Sequence, residues 1–351
     1  MRVLLIKTSS LGDIIHTLPS LTDAAQQFSN IQFDWVVEGS FQTVPKWHSA
    51  IGEVIPVALR CWRKQWCNPQ TIGEIFASIK KIRTLRYDAI LDAQGLLKSA
   101  ALSLAARGPC SGFSWHSARE KTASLFYQHR ISVPWSIHAV NRTRMLFAKA
   151  LHYPVPQTTP NYGIDPARLP AFSYDKPYYV FFHGTTWETK LWPNEYWAAL
   201  AKRFEQIGEH IIFLPGNARE EADAQLIAKQ VSNIQIIPKL NIAEVAGVLS
   251  RARGAVAVDT GFGHLAAALA IPTVSLYGPT DPNRTGTVGQ HQIHLAADFP
   301  CAPCLSRTCS YQGHKTIDPP CFTKLSPDLV FERLQAATRA LKTRSIEVGV
   351  A

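Results

Sequence analysis

Three loops of this chain place small, hydroxyl-bearing and charged residues directly after an apolar run. In "TSSLGD", residues 8–13, Asp13 falls where a helix should begin. It can serve as a helix cap, worth about 0.5–2 kcal/mol. It can equally act as a general base, because ligands collect at the carboxyl ends of parallel strands. In "VDTGFGH", residues 258–264, Thr260 is a candidate N-cap, and the backbone N–H groups after it can meet a phosphate at the positive helix end. His264 in the first turn can add a ring N–H. In "FFHGTTWETK", residues 181–190, Thr185 and Thr186 can donate to phosphate oxygens and Lys190 can offset growing negative charge. Each loop also has a purely structural reading: a cap, a tight strand-to-helix turn, a solvated lysine. The GxxxxGK[ST] and GxGxxG signatures are both absent from the first loop, so neither nucleotide fingerprint applies there.

Two further clusters carry chemistry. "LRCWRKQW", residues 59–66, interleaves Arg60, Arg63 and Lys64 with Trp62 and Trp66. Guanidinium forks match phosphate and carboxylate geometry, and the pattern also suits nucleic acid, a membrane interface or a merely solvated face. Near the end, Cys301, Cys304, Cys309 and Cys321 lie within 21 residues, the first two in CxxC spacing. A structural zinc site, free thiols and a disulfide are all open for them, although an odd total of seven cysteines argues against a disulfide framework.

These residues need a scaffold that brings loops together. Strand-like runs at 2–7, 31–37, 53–57 and 87–92 alternate with helical patterns at 13–27, 70–85, 95–106 and 138–151. After a proline-rich stretch at about 152–176 the alternation restarts. Strands at 178–183, 210–214, 254–258 and 272–277 then alternate with helices at 194–207, 218–230, 241–251 and 261–270, and a closing helix follows at 326–342. Alternation of this kind implies parallel sheets covered on both faces, here twice over. The expected division is a first domain over 1–155, a linker over 156–176, a second domain over 177–325 and a helix with tail over 326–351. Two such sheets should face a shared cleft.

The motifs "MRVLLIKTSSLGDIIHTLP", "DAQGLLKSA" at 92–100 and "VDTGFGHLAAAL" at 258–269, in this order, resemble the ADP-heptose:lipopolysaccharide heptosyltransferases of glycosyltransferase family 9. The likeness runs from residue 1 to about 285. "FDWVVE", "WHSAREKTASLFY" and "HAVNRTRMLFAKAL" are most similar to the branch that adds the first heptose to Kdo. The resemblance implies a GT-B fold of two Rossmann-like domains and an inverting transfer that needs no cofactor or metal. It implies that Asp13 is the catalytic base and that Thr185, Thr186 and Lys190 hold the diphosphate of ADP-heptose. Asp259, Thr260, Gly261 and His264 would contact donor sugar and diphosphate, Glu220 the ribose and Leu240 the adenine. Arg60, Arg63, Lys64, Arg119, His138 and Arg142 would bind the acceptor. The chain departs from the family pattern at Cys61, where a second arginine would follow Arg60.

Composition fits this reading. The chain is 46% hydrophobic and 18% charged, as expected of a globular protein, and its formal charge is +10. An anionic acceptor such as Kdo2-lipid A accounts for that excess better than a nucleic acid does. No run approaches the roughly 18 apolar residues of a spanning helix. The expectation is a monomer in the cytoplasm, held peripherally on the inner face of the inner membrane. The nearer rival is the type II branch or another ADP-sugar transferase, and the distant one a non-catalytic binder of anionic lipid or nucleic acid.

Overall fold

The computed structural model describes the backbone of residues 1–348 and side chains through residue 340; the last residues of the expected tail, 349–351, lie outside the described residues. Two compact units divide the chain, Met1–Arg168 and a second from Leu169 onward.

The first unit is a six-stranded sheet of β1 (Arg2–Ile6), β2 (Gln32–Glu38), β3 (Ile51–Val57), β4 (Ala89–Asp92), β5 (Cys110–Phe113) and β6 (His129–Ile131). Its order is β3-β2-β1-β4-β5-β6, and every pairing is parallel. The second unit contains β7 (Tyr178–Phe182), β8 (His210–Phe213), β9 (Ile234–Ile236), β10 (Gly254–Val258), β11 (Thr273–Tyr277) and β12 (Gln292–Ala296), ordered β12-β11-β10-β7-β8-β9. Counted within each unit, both sheets follow 3-2-1-4-5-6, the doubly wound Rossmann order. The central strands β7, β10 and β11 are buried along their whole length, as strands covered by helices on both faces must be.

Four strands carried too little sequence signal to be read: β5, β6, β9 and β12. Three of them are sheet edges with polar, half-exposed residues, so neither a continuous apolar run nor a clean alternation is present. β5 is buried but contains Gly112, where an added Cβ would run into the Tyr127 ring. The helix expected over 13–27 is two helices, Leu11–Ile15 and Leu18–Gln27. Pro19 in the first turn of the second supplies no N–H and favours a helix start, which explains the break.

The beginning of the expected linker is tied to the first unit. Arg144 forms a buried two-pronged bond to Asp23 (Nε–Oδ2 2.6 Å, Nη2–Oδ1 3.0 Å) and donates to the Thr158 carbonyl at 2.7 Å. Removing one member of such a pair leaves a buried charge uncompensated. Arg168 in turn donates to the Lys46 carbonyl at 2.9 Å.

Candidate functional site

In the first unit the chemistry is arranged where β1 and its neighbour β4 end. The helix Leu11–Ile15 starts just beyond β1, and Asp13 is its third residue. Its carboxylate turns back on the helix start, where Oδ2 accepts the Ser10 N–H at 2.9 Å and the Ser10 hydroxyl at 3.1 Å. The other oxygen lies 3.6 Å from Lys7 Nζ. That ammonium is buried and donates to the Ala93 carbonyl at 3.0 Å, so β4 fixes its position. Burial alone would raise the Asp13 pKa. Lys7 first, then the two Ser10 hydrogen bonds and the charge of Arg119, outweigh burial and hold the carboxyl below its ordinary range. One carboxylate thus turns Oδ2 to the helix start and Oδ1 to Lys7.

The loop after β4, "DAQG", holds this arrangement. Gln94 Oε1 accepts the backbone N–H groups of Thr8 at 2.9 Å and Ser9 at 3.2 Å. Buried Asp92 accepts from the N–H groups of Gln94 (2.8 Å) and Gly95 (3.2 Å) and from the Tyr127 hydroxyl (2.7 Å). Gly95 has φ +67°, which favours glycine, and a Cβ there would press on the Phe113 ring. Its carbonyl accepts the Glu120 N–H at 3.0 Å, which seats the loop bearing Arg119.

The predicted acceptor residues divide. Arg119 is exposed and acts electrostatically on Asp13. His138 caps the helix Ala139–Ala150 by accepting the Val140 N–H at Nδ1 (3.3 Å), and its ring lies 5.9 Å, edge to face, from that of His16. Arg142 is buried. It donates to the carbonyls of Val133, Pro134 and Ser117 and stacks 3.8 Å from the centre of the Trp135 ring. It thereby shapes the loops beside Arg119. Arg60, Arg63 and Lys64 are exposed on the short helix Leu59–Lys64, which begins just past the end of β3, two strands from β1. Trp62 of that helix is buried and donates to Glu74 Oε2 at 3.2 Å, whereas Trp66 just beyond it is 71% exposed.

In the second unit, the loops after β7 and β10 meet. Lys190 Nζ lies 2.7 Å from Asp259 Oδ2 and 4.5 Å from the centre of the Trp187 ring. The same carboxylate oxygen accepts the Thr280 hydroxyl at 2.7 Å, and the Thr185 hydroxyl donates to the Asp259 carbonyl at 3.2 Å. Thr260 is the N-cap of the helix Gly261–Ala268, with His264 buried in its first turns. A neighbouring cavity of about 390 Å³ is lined by Thr185, Thr186, Asn217 and Glu220 among others. Glu220 accepts from Gly216 N (2.8 Å) and Asn217 Nδ2 (2.7 Å), and its carboxylate covers the open face of Gly184, where a Cβ would collide with it. Leu240 is half-buried just before the helix Ile242–Leu249 and is not among the residues lining this cavity.

Four site residues were not read from the sequence: Lys7, Asp92, Gln94 and His183. The first three follow from the sheet order, since β4 neighbours β1 and places "DAQG" beside "TSSLGD". His183 ends the run of β7, donates from Nε2 to the Glu220 carbonyl at 2.8 Å, and keeps a buried Nδ1 without a partner among the described residues.

Cys301, Cys304, Cys309 and Cys321 all line one cavity of about 310 Å³. Among the described residues, however, no three His, Cys, Asp or Glu side chains are placed to hold a metal ion. All seven cysteines are free thiols, and burial, followed by the three neighbouring cysteines, pushes Cys321 up to about 12.

Residues 75–315 match the family model described as glycosyltransferase family 9 (heptosyltransferase). The chain is 49% identical to lipopolysaccharide heptosyltransferase 1 of Pseudomonas aeruginosa, over 98% of this chain and 99% of that protein. Among solved structures, E. coli heptosyltransferase WaaC with ADP superposes with a TM-score of 0.86 at 39% identity, covering 96% of this chain and 100% of that one. WaaC with ADP-2-deoxy-2-fluoro heptose gives a TM-score of 0.78 at 44% identity, covering 85% and 93%.

Proposed function

The chain belongs to glycosyltransferase family 9, the heptosyltransferases; it transfers heptose from ADP-heptose to the lipopolysaccharide core, and we propose that its acceptor is the Kdo region of Kdo2-lipid A. The observation that carries this reading is a carboxylate, Asp13, held ionised by Lys7 and Ser10 beside the exposed cation Arg119. A sugar hydroxyl is a poor nucleophile until its proton has somewhere to go, and an ionised carboxylate can take it.

In the proposed reaction the acceptor oxygen attacks the anomeric carbon of heptose while Asp13 takes its proton. The bond from that carbon to the diphosphate oxygen breaks, ADP departs with the bonding pair, and configuration inverts. The transition state resembles an oxocarbenium ion. Charge growing on the diphosphate is met by Lys190, by the hydroxyls of Thr185 and Thr186, and by the N–H groups at the start of the helix Gly261–Ala268. Asp259 acts by positioning: it holds Lys190 and Thr280. Glu220 in the neighbouring cavity takes a ribose hydroxyl, His264 reaches donor sugar or phosphate, and Leu240 borders the adenine. On the acceptor, Arg60, Arg63, Lys64 and Arg119 meet carboxylates and phosphates, with His138 beside them and Arg142 shaping the loop.

We assign the enzyme to the cytoplasmic face of the inner membrane as a peripheral monomer. Among the described residues no helix is long and apolar enough to cross a membrane. Incubation with ADP-heptose and Kdo2-lipid A, followed by product mass, tests the reading: one added heptose is expected, and no added mass refutes it.

A further inference from the structure

Large apolar side chains are exposed on three helical elements of the first unit, which alternate along the chain with β4 and β5. They are Ile72 and Phe76 on the helix Pro69–Arg83, Leu97 and Leu104 on the helix Leu97–Ala105, and Leu125 and Phe126 on the turn Lys121–Phe126. Phe76, Leu104 and Leu125 are 68%, 61% and 59% exposed, values far outside those of a packed face. The three elements lie side by side, the central helix touching both of the others. On that helix Leu97, Ala101 and Leu104 recur at helical spacing on the outside, while Ala100, Leu102 and Ser103 face the core.

Charge on this face is mainly basic. Lys80, Lys98 and Lys121 are exposed, one on each element. The nearby acids are engaged in holding the elements: Glu74 accepts from Trp62 Nε1 at 3.2 Å and Glu120 from the Leu97 N–H at 2.6 Å. An apolar patch rimmed by lysines marks an interaction site. Its chemistry suits an anionic bilayer surface, where apolar side chains enter the boundary of the acyl chains and basic residues are attracted to the headgroups. The face also runs into the proposed acceptor loop, since Glu120 and Lys121 follow Arg119 directly.

We propose that the surface formed by the helices Pro69–Arg83 and Leu97–Ala105 and the turn Lys121–Phe126 docks this enzyme onto anionic lipid bilayers. This rests on the reading of the acceptor as a membrane lipid. It goes further in naming the face that meets the membrane, distinct from the basic helix Leu59–Lys64. A bound bilayer would present the acceptor headgroup beside Arg119.

The test is flotation of the full chain with phosphatidylglycerol-containing vesicles, together with heptose transfer to a deacylated, soluble Kdo-bearing acceptor. The wild type is expected to float with the vesicles. The triple variant Phe76→Ser, Leu104→Ser, Phe126→Ser should bind them at least about tenfold more weakly, with unchanged kcat on the soluble acceptor. That retained kcat reports that the variant is folded. A second variant, Lys80→Glu, Lys98→Glu, Lys121→Glu, should lose vesicle binding and with it the dependence of binding on salt. Unchanged vesicle binding by both variants, or a wild-type dimer in sedimentation that the triple variant dissolves, would overturn the proposal. No transfer to either acceptor by the wild type would instead refute the function on which it rests.

Discussion

Lys190 Nζ and Asp259 Oδ2 stand 2.7 Å apart, and the pair joins the loop after β7 to the loop after β10. Both side chains are largely withdrawn from water, so the ammonium is held in one place before any ligand arrives. Preorganised charge of this kind needs no reorientation at the moment of reaction.

Lys190→Met is therefore expected to lower kcat by about 10²–10³-fold, the usual cost of one electrostatic stabiliser. Asp259→Asn should cost less, because Lys190 remains but is no longer fixed. The double variant should be scarcely worse than Lys190→Met alone, since residues acting as a unit are not additive. Steady-state kinetics on the four proteins measures this coupling; simple additivity would contradict it.

The pH dependence of the rate should report on Lys7. Because Asp13 is held below the ordinary carboxylate range, it stays ionised throughout pH 5–8 and contributes no acid limb there. In Lys7→Met the largest opposing influence on burial is gone, so the Asp13 pKa rises. The acid limb of the profile should then move to higher pH. A pH profile of kcat/KM identical to that of wild type would rule out Lys7 as the group that tunes Asp13.

Gln94 is a positioning residue with a measurable signature. Gln94→Leu leaves the N–H groups of Thr8 and Ser9 without their acceptor, at about 1–3 kcal/mol for a buried group. Both thermal stability and kcat should fall, while KM for ADP-heptose stays unchanged. Gln94→Glu keeps an acceptor at that position and should restore much of the stability.

The strand–helix alternation was legible because central strands are continuous apolar runs, and two parallel sheets covered on both faces follow from it. Three of the four edges were not, because β6, β9 and β12 are short and half-exposed. Asp13 and Lys190 could be named as candidates from loops at strand ends, and Glu220 from the family resemblance. What no single loop reveals is which loops become neighbours. The dependence of Asp13 on Lys7 and of Lys190 on Asp259 is set by strand order, and the engagement of Arg142 with three carbonyls by tertiary packing. The four cysteines do gather around one cavity, as their spacing suggests, yet not at ligating distance.

Stability should fall with acid through His48. Burial, and then the charge of Arg168, lowers its pKa from 6.5 to about 4. The neutral ring fits its bonds, since Nδ1 accepts the Ala50 N–H at 3.1 Å and Nε2 meets the Thr22 hydroxyl at 3.0 Å. With the folded pKa depressed, the unfolded chain binds the extra proton between pH 6.5 and 4. The contribution is full above pH 6.5 and is lost as pH falls toward 4, by about 3 kcal/mol in all. Urea unfolding at pH 7 and pH 4.5 should show this difference in wild type and a smaller one in His48→Gln.

The central claim is that Asp13 accepts the acceptor's proton. The most direct measurement is turnover of Asp13→Asn by product mass, with ADP affinity measured by calorimetry on the same protein. Asparagine can still accept from Ser10, so the cap survives while the charge is removed. The account predicts that heptose transfer falls by about 10²–10⁴-fold while ADP binds as it does to wild type. Transfer by Asp13→Asn at close to the wild-type rate would contradict it.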